Sequence, residues 1–287
     1  MNTSLQRSAV AMRKALEEVY TREEASVMVR AVLEEVCGIP PYKLLSGEDR
    51  RLEEGEELRL SKITERLTSY EPLGYVLGRV YFFGLWLEVN RAVLIPRPET
   101  EELVEKVLEQ CKGEELEILD VGTGSGCIAC ALAAKLPSAY VTAIDSSPEA
   151  LSMARRNAQS AGVRVSFAVA DMLGEESMDE VLGEAFFDVI VSNPPYVRES
   201  EKAKMGRNVV DYEPACALFV PDARPLLFYE GLVRLAHRRL KLGGLFYAEI
   251  NEALGVETAT LVRALGLQEV EIQRDMRGND RFIRAIR

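Results

Sequence analysis

Residues Leu116-Glu117-Ile118-Leu119-Asp120-Val121 form an apolar run that ends abruptly in Gly122-Thr123-Gly124-Ser125-Gly126, and a helical stretch opens at Cys127. Glycines spaced this closely let the backbone turn sharply and approach another group without a Cβ in the way. The next apolar run, Tyr140-Val141-Thr142-Ala143-Ile144, follows after a helix-length interval. Two strands joined through a helix lie parallel, because a hairpin cannot make that connection. Strand, glycine turn, helix and strand therefore commit this half of the chain to an open α/β sheet, with its loops of interest at the carboxyl ends of the strands.

The second strand ends in Asp145, about 20 residues beyond the glycines, where a carboxylate reaches the hydroxyls of a ribose. That much suits NAD and S-adenosylmethionine equally. Two details favour the second. The loop reads Asp-x-Gly-x-Gly-x-Gly rather than the Gly-x-Gly-x-x-Gly that seats a pyrophosphate, and Asp120 just ahead of it suits the ammonium end of a methionine better than a phosphate. The predicted cofactor contacts are Asp120, Gly122, Thr123, Gly124, Ser125, Gly126 and Asp145. Asp171, after a strand spanning Val163 to Val169, is expected at an adenine edge with Met172 as its apolar neighbour.

A further strand, Phe187-Asp188-Val189-Ile190-Val191, runs into Ser192-Asn193-Pro194-Pro195-Tyr196. Asn and Pro are common where a strand turns. The same residues also make a chemical device. The Asn193 side-chain oxygen and the Pro194 carbonyl are both acceptors, and proline has fixed φ and no N–H to compete. Two such acceptors can take the two N–H groups of a planar –NH2, with Pro195 beside it and Tyr196 against its face. Asn193 and Pro194 are the predicted catalytic residues, and Asn193 to Tyr196 the predicted substrate clamp.

Ahead of this sheet, residues 1–72 read as helices. Leu5, Ala9, Met12, Leu16 and Val19 recur at helical spacing. Thr21-Arg22-Glu23-Glu24 is a capping box for a helix carrying Val27, Ala31, Val32 and Val36, which Gly38 and Pro40-Pro41 stop. A third helical region, Leu52 to Leu67, carries an acidic run, Glu53 to Glu57, expected as a solvated face. Residues 73–90, including Val80 to Val89, read as a hairpin linking this helical domain to a catalytic domain over 91–287. Pro98 sits where a helix begins, and Arg97 and Glu101 beside it serve either as caps and surface pairs or as parts of a site. The strands Gln268 to Arg274 and Arg281 to Arg287, joined by a short loop, are expected to be antiparallel.

Composition narrows the function classes. The formal net charge of −11 argues against a bare phosphate backbone as the substrate, without excluding a local basic groove. The single histidine, His237, lies in a polar helical run and leaves no Ser-His-Asp triad or multi-histidine metal site. Five scattered cysteines suggest reduced thiols in the cytoplasm, and Cys127 and Cys130 read as helix-packing residues. Neither a secretory leader nor a membrane-length apolar run is read in the chain.

With these residues assembled, the chain is similar, nearly end to end, to the release-factor glutamine methyltransferases of the HemK/PrmC type. The resemblance rests on Leu94 to Glu101, Asp120 to Gly126, Asn193-Pro194-Pro195-Tyr196, Tyr212-Glu213-Pro214 and Asn279-Asp280-Arg281. It implies a class I, Rossmann-like methyltransferase sheet behind a helical substrate-binding domain. It further implies methyl transfer from S-adenosylmethionine to the glutamine of the Gly-Gly-Gln loop in class I peptide chain release factors, with Asn193 in contact with the cofactor as well as the substrate and no direct nucleic-acid or membrane partner. Two places depart from the family pattern. Phe219 to Arg224 replaces a glycine-rich turn, and Asn251 replaces a common glycine; neither is expected to touch the clamp. The alternatives are a methyltransferase for a ribosomal-protein glutamine or a nucleic-acid adenine, or a nucleotide-binding scaffold without catalysis.

Overall fold

The computed structural model describes residues 4–40, 42–43, 49–111 and 115–287. The chain divides into two units, one of Met1–Gly78 with Gly206–Tyr212 and one of Arg79–Met205 with Glu213–Arg287. In the first unit, α1 (Leu5–Leu16), α2 (Arg22–Cys37) and α3 (Glu54–Thr68) close on a shared core of Leu5, Leu16, Val29, Val32, Leu33, Leu60 and Leu67. The Thr21 capping box is formed with Glu24, and Gly38 ends α2 in the left-handed region. Pro41 lies outside the described residues. The buried face of α2 is Ala25, Val29, Val32, Leu33 and Val36, and Val27, expected in the core, faces solvent at 53% exposure. Not all of the acidic run is solvated either. Arg50 binds Glu56 through both carboxylate oxygens and holds its carboxyl down at about 2.

The first unit also takes in α4 (Leu73–Leu77), which the sequence reading places in the linker. The reason is local. Tyr75 and Val76 are buried, and the Arg66 guanidinium, paired with Glu71, donates to the carbonyls of both. The short helix α9 (Arg207–Val210) belongs to this unit as well, with Arg207 stacked over Tyr70 and the Tyr212 hydroxyl donating to the Ser69 carbonyl.

The second unit is built on a seven-stranded sheet, with a separate parallel pair, β7 (Val197–Arg198) and β8 (Phe219–Val220), and a helix α8 (Glu175–Leu182). Its strands are β3 (Glu117–Val121), β4 (Tyr140–Asp145), β5 (Val165–Val169), β6 (Phe187–Ser192), β9 (Leu240–Glu249), β10 (Gln268–Arg274) and β11 (Asp280–Ile286), in the order β10-β11-β9-β6-β3-β4-β5. All neighbours pair in parallel except β11, which is antiparallel to both β9 and β10, as the short final loop demands. Both faces are covered. Leu119, Val121, Ile190 and Phe246 pack on α10 (Leu227–Arg239) and α11 (Gly255–Ala264). Ile118, Val189, Val191 and Tyr247 pack on α5 (Pro98–Gln110) and α6 (Cys127–Lys135). Successive residues thus alternate between two buried faces, which is why the strands read as continuous apolar runs.

The hairpin β1 (Arg79–Phe82) and β2 (Leu85–Glu88) is part of this second unit. Phe82 and Leu87 are buried with α5 and α6. Asn157, fully buried on α7 (Pro148–Ala161), accepts from the Glu88 N–H and donates to the Glu88 and Ser125 carbonyls, tying the hairpin to the glycine loop. Gly243 and Gly244 lie inside β9, where the pairing with β6 shifts register. Among the described residues no helix is long and apolar enough to cross a membrane.

Candidate active site

The chain order reverses between β3 and β6, so the carboxyl ends of these two strands open a crevice where ligands bind in open α/β sheets. The Ser192 hydroxyl donates to the Val121 carbonyl at 2.7 Å and holds the two ends together. From Val121 the chain turns through Gly122 at φ +73°, and the Gly122 and Thr123 N–H groups donate to the Ile144 carbonyl. A Cβ on Gly122 would stand 2.9 Å from the Met172 methyl, a flexible side-chain end that can move aside, so it is the positive φ that calls for glycine here.

Asp145 closes the loop. Its Oδ2 accepts the Gly124 N–H at 2.8 Å and its Oδ1 the Ser147 N–H at 2.9 Å. Burial raises its pKa, and the backbone donors offset part of that. Each oxygen keeps a second acceptor position, which is what vicinal hydroxyls require. Asp171 accepts the Leu173 N–H, and Asp171, Met172 and Leu173 stand on the wall of the same cavity. That cavity, of about 320 Å³, is also walled by Gly122, Thr123, Gly124, Ser125, Asp145, Arg97, Thr100, Asn193 and Pro195.

Asp120 is placed differently. Strand alternation turns it beneath α6, where it is fully buried and does not line the cavity. Its Oδ2 accepts the Thr123 hydroxyl at 2.6 Å and the Ala129 N–H, bracing the glycine loop, while its Oδ1 has no partner. Desolvation pushes its pKa up to about 7. Gly126 stands at the start of α6, and a Cβ there would meet Ala154 at 3.0 Å, so its role is to let α6 approach α7.

On the clamp side, Asn193 and Pro195 face the cavity, whereas Pro194 and Tyr196 are not on its wall. The Tyr196 hydroxyl instead donates to Glu249 Oε1 at 2.7 Å. Asn193 Nδ2 donates to the Thr100 hydroxyl at 3.1 Å, and Thr100 donates to Glu249 Oε2 at 3.0 Å. Glu249, at the end of β9, is 1% exposed, and burial raises its pKa. Arg97 pairs with the buried Glu213 at 2.6 Å, and Glu213 also accepts the Ile95 N–H. Glu101 accepts the Phe83 N–H at 2.7 Å and so supports the hairpin. Asn251 does touch the clamp, contrary to expectation. Its Nδ2 donates to the Tyr196 carbonyl and to Glu201, a contact that a glycine there could not make.

Thr100, Glu213, Glu249 and Asn157 were not singled out by sequence reasoning as parts of this site. Glu213 carried a signal, since it lies in one of the motifs shared with the family. A wider, open depression of about 1190 Å³ lies at the amino-terminal ends of β4 and β5, around Tyr140 and Arg164. It contains none of these loops, so chemistry and not size selects the smaller cavity.

Comparison with known proteins places the chain among its relatives. Residues 99–213 match the Methyltransferase small domain, and residues 11–78 match the PrmC N-terminal domain. The chain is 40% identical to a release factor glutamine methyltransferase of Flavobacterium psychrophilum, over 95% of each chain. It is 38% identical to one from Bacteroides thetaiotaomicron, over 96% of this chain and 98% of that protein. Among solved structures, a methyltransferase from Pyrococcus furiosus superposes with a TM-score of 0.52 at 22% identity, covering 71% of this chain and 89% of that one, a likeness of fold. On the near end-to-end identity with its relatives, this chain belongs to the release factor glutamine methyltransferase family.

Proposed function

We propose that this protein transfers a methyl group from S-adenosylmethionine to the side-chain nitrogen of the glutamine in the Gly-Gly-Gln loop of peptide chain release factors, and so acts on translation termination in the cytoplasm. The observation that carries this reading is one cavity wall shared by the glycine loop, Asp145 and Asn193, in a chain whose relatives bear that name. The residues present fit the methyl donor. Asp145 has acceptor capacity for ribose hydroxyls, and Asp171 and Met172 suit the edge and face of adenine, while Asp120, buried off the cavity, braces the glycine loop and does not reach the donor. Gly122 leaves the space that Met172 borders. When bound, S-adenosylmethionine supplies an electrophilic methyl group on a sulfonium.

An amide nitrogen is a poor nucleophile because its lone pair is shared with the carbonyl. In this reading Asn193 Oδ1 and the Pro194 carbonyl each accept one N–H of the glutamine, orienting the nitrogen and favouring its pyramidalisation as charge develops. With the donor bound, its methyl group would be the electrophile for the nitrogen that Asn193 and Pro194 hold, and one N–H proton of the glutamine would be released to water. The attack needs no strong base, and positioning supplies much of the rate. Asn193→Ala should cost roughly 3 kcal/mol, or about a hundredfold in turnover. Tritium transfer from labelled cofactor to purified release factor, ribosomal protein and duplex DNA, in parallel, tests the substrate assignment. Label entering release factor alone supports it, and label entering one of the others in its place overturns it.

A further inference from the structure

A carboxamide has an oxygen end that accepts and a nitrogen end that donates, and the two are nearly the same size. For Asn193 to receive an N–H from substrate, its oxygen must be the end presented. The surroundings of its nitrogen end decide this. Asn193 Nδ2 faces the Thr100 hydroxyl at 3.1 Å, and that hydroxyl faces Glu249 Oε2 at 3.0 Å. A hydroxyl has one proton. While Glu249 is ionised it can only accept, so the Thr100 proton is committed to it and Thr100 can offer Asn193 nothing but a lone pair. Only the –NH2 end of Asn193 satisfies that. The second carboxylate oxygen is occupied by the Tyr196 hydroxyl at 2.7 Å, and the Tyr229 hydroxyl fixes the backbone of the same residue through the Glu249 carbonyl at 2.9 Å.

We propose that Thr100 and Glu249, with Tyr196, are positioning residues that set the polarity of the Asn193 carboxamide, so that Oδ1 and not Nδ2 meets the substrate amide. Asn193 turned about would set N–H against N–H and lose the clamp. The assignment rests on the glutamine methyltransferase reading above and adds what makes the clamp an acceptor. The groups facing Glu249 are Tyr196 and Tyr229, Thr100 and Glu99 at the start of α5, and Arg281 of β11. Protonation of Glu249 at low pH lets it donate to Thr100, releases the Thr100 proton and removes the constraint on Asn193.

The test uses the full-length protein with Thr100→Val, Thr100→Ser and Glu249→Gln. Valine keeps the shape and removes the hydroxyl, and serine keeps the hydroxyl. Turnover on release factor should fall roughly tenfold to a hundredfold in Thr100→Val, in kcat more than in KM, and serine should restore most of it. Glu249→Gln should lower kcat and, at saturating cofactor, abolish the acid-side fall in kcat that protonation of Glu249 causes in wild type. Serine as impaired as valine, or valine as active as wild type, overturns the proposal. A readout independent of substrate is the side-chain –NH2 resonance pair of Asn193, identified by its loss in Asn193→Ala. One proton of the pair should be shifted downfield in wild type and Thr100→Ser and not in Thr100→Val. Identical spectra in all three overturn the polarity assignment. Absence of methyl transfer by wild type, with the expected shifts present, overturns the substrate reading alone.

Discussion

Replacing Arg97 tests how the loop ahead of α5 is held against the cavity. Arg97 donates to Glu213 Oε1 at 2.6 Å, and Glu213 Oε2 accepts the Ile95 N–H at 3.1 Å. The Glu213 side chain is 1% exposed and that of Arg97 is 32% exposed. Removing one member of a fully buried pair costs about 3–5 kcal/mol, because the other charge is left without its partner. Water reaches about a third of Arg97, and with that discount Arg97→Ala should lose about 2 kcal/mol. Glu213→Gln keeps one of the two contacts in either orientation of the new amide and should lose about 1 kcal/mol. In the double variant no charge is stranded, and the amide oxygen can still accept the Ile95 N–H. The double variant should therefore lose about 1 kcal/mol, less than Arg97→Ala alone. Urea unfolding followed by circular dichroism and by Trp86, the chain's single tryptophan, reads this directly, since Trp86 lies in the second unit. A double variant that loses the sum of the two single losses would show that Arg97 and Glu213 do not depend on each other, and the reasoning would fail.

Gly122→Ala should weaken binding of S-adenosylhomocysteine by roughly tenfold or more, because a residue with φ +73° carries about 1–2 kcal/mol of strain and its Cβ pushes on Met172. Calorimetry measures this, and undiminished affinity would contradict the geometry. Asp120→Asn should change the pH dependence of stability. With its pKa raised to about 7, Asp120 holds a proton in the folded state across a window in which the unfolded chain, near 3.9, has released it. The Asp120 contribution to stability therefore falls as pH rises from about 4 to 7 and then levels, an effect bounded at about 4 kcal/mol. Melting temperatures of wild type and variant should diverge over that range in favour of the variant, and parallel curves would refute the assignment. Because burial also raises the Asp145 pKa, cofactor affinity should weaken as pH falls through that raised value, and a flat calorimetric profile would count against Asp145 as the ribose acceptor.

What could be read from the chain and what could not divide along one line. The glycine loop, Asp145 and the Asn-Pro-Pro-Tyr turn stand at strand ends, and each announces itself through a local backbone requirement. Proline capping of α5 and the antiparallel final pair were legible for the same reason. The residues that aim the site act at a distance. Thr100 and Glu249 are 149 positions apart and Arg97 and Glu213 are 116 apart, so nothing in the neighbourhood of either member points to its partner. Asn251 was legible only as a departure from a pattern, and its bond to the Tyr196 carbonyl emerged with the fold. Val27 misled because a valine at approximate helical spacing carries no information on which side of the stripe it falls.

The central claim is that a carboxamide nitrogen, held by Asn193, receives the methyl group. Mass spectrometry of purified release factor after incubation with the protein and S-adenosylmethionine tests it most directly. The account predicts a single added methyl on the peptide carrying Gly-Gly-Gln, located on the glutamine side chain, and its near disappearance with Asn193→Ala. An unmodified glutamine, or a methyl group on any other residue of that peptide, would contradict it.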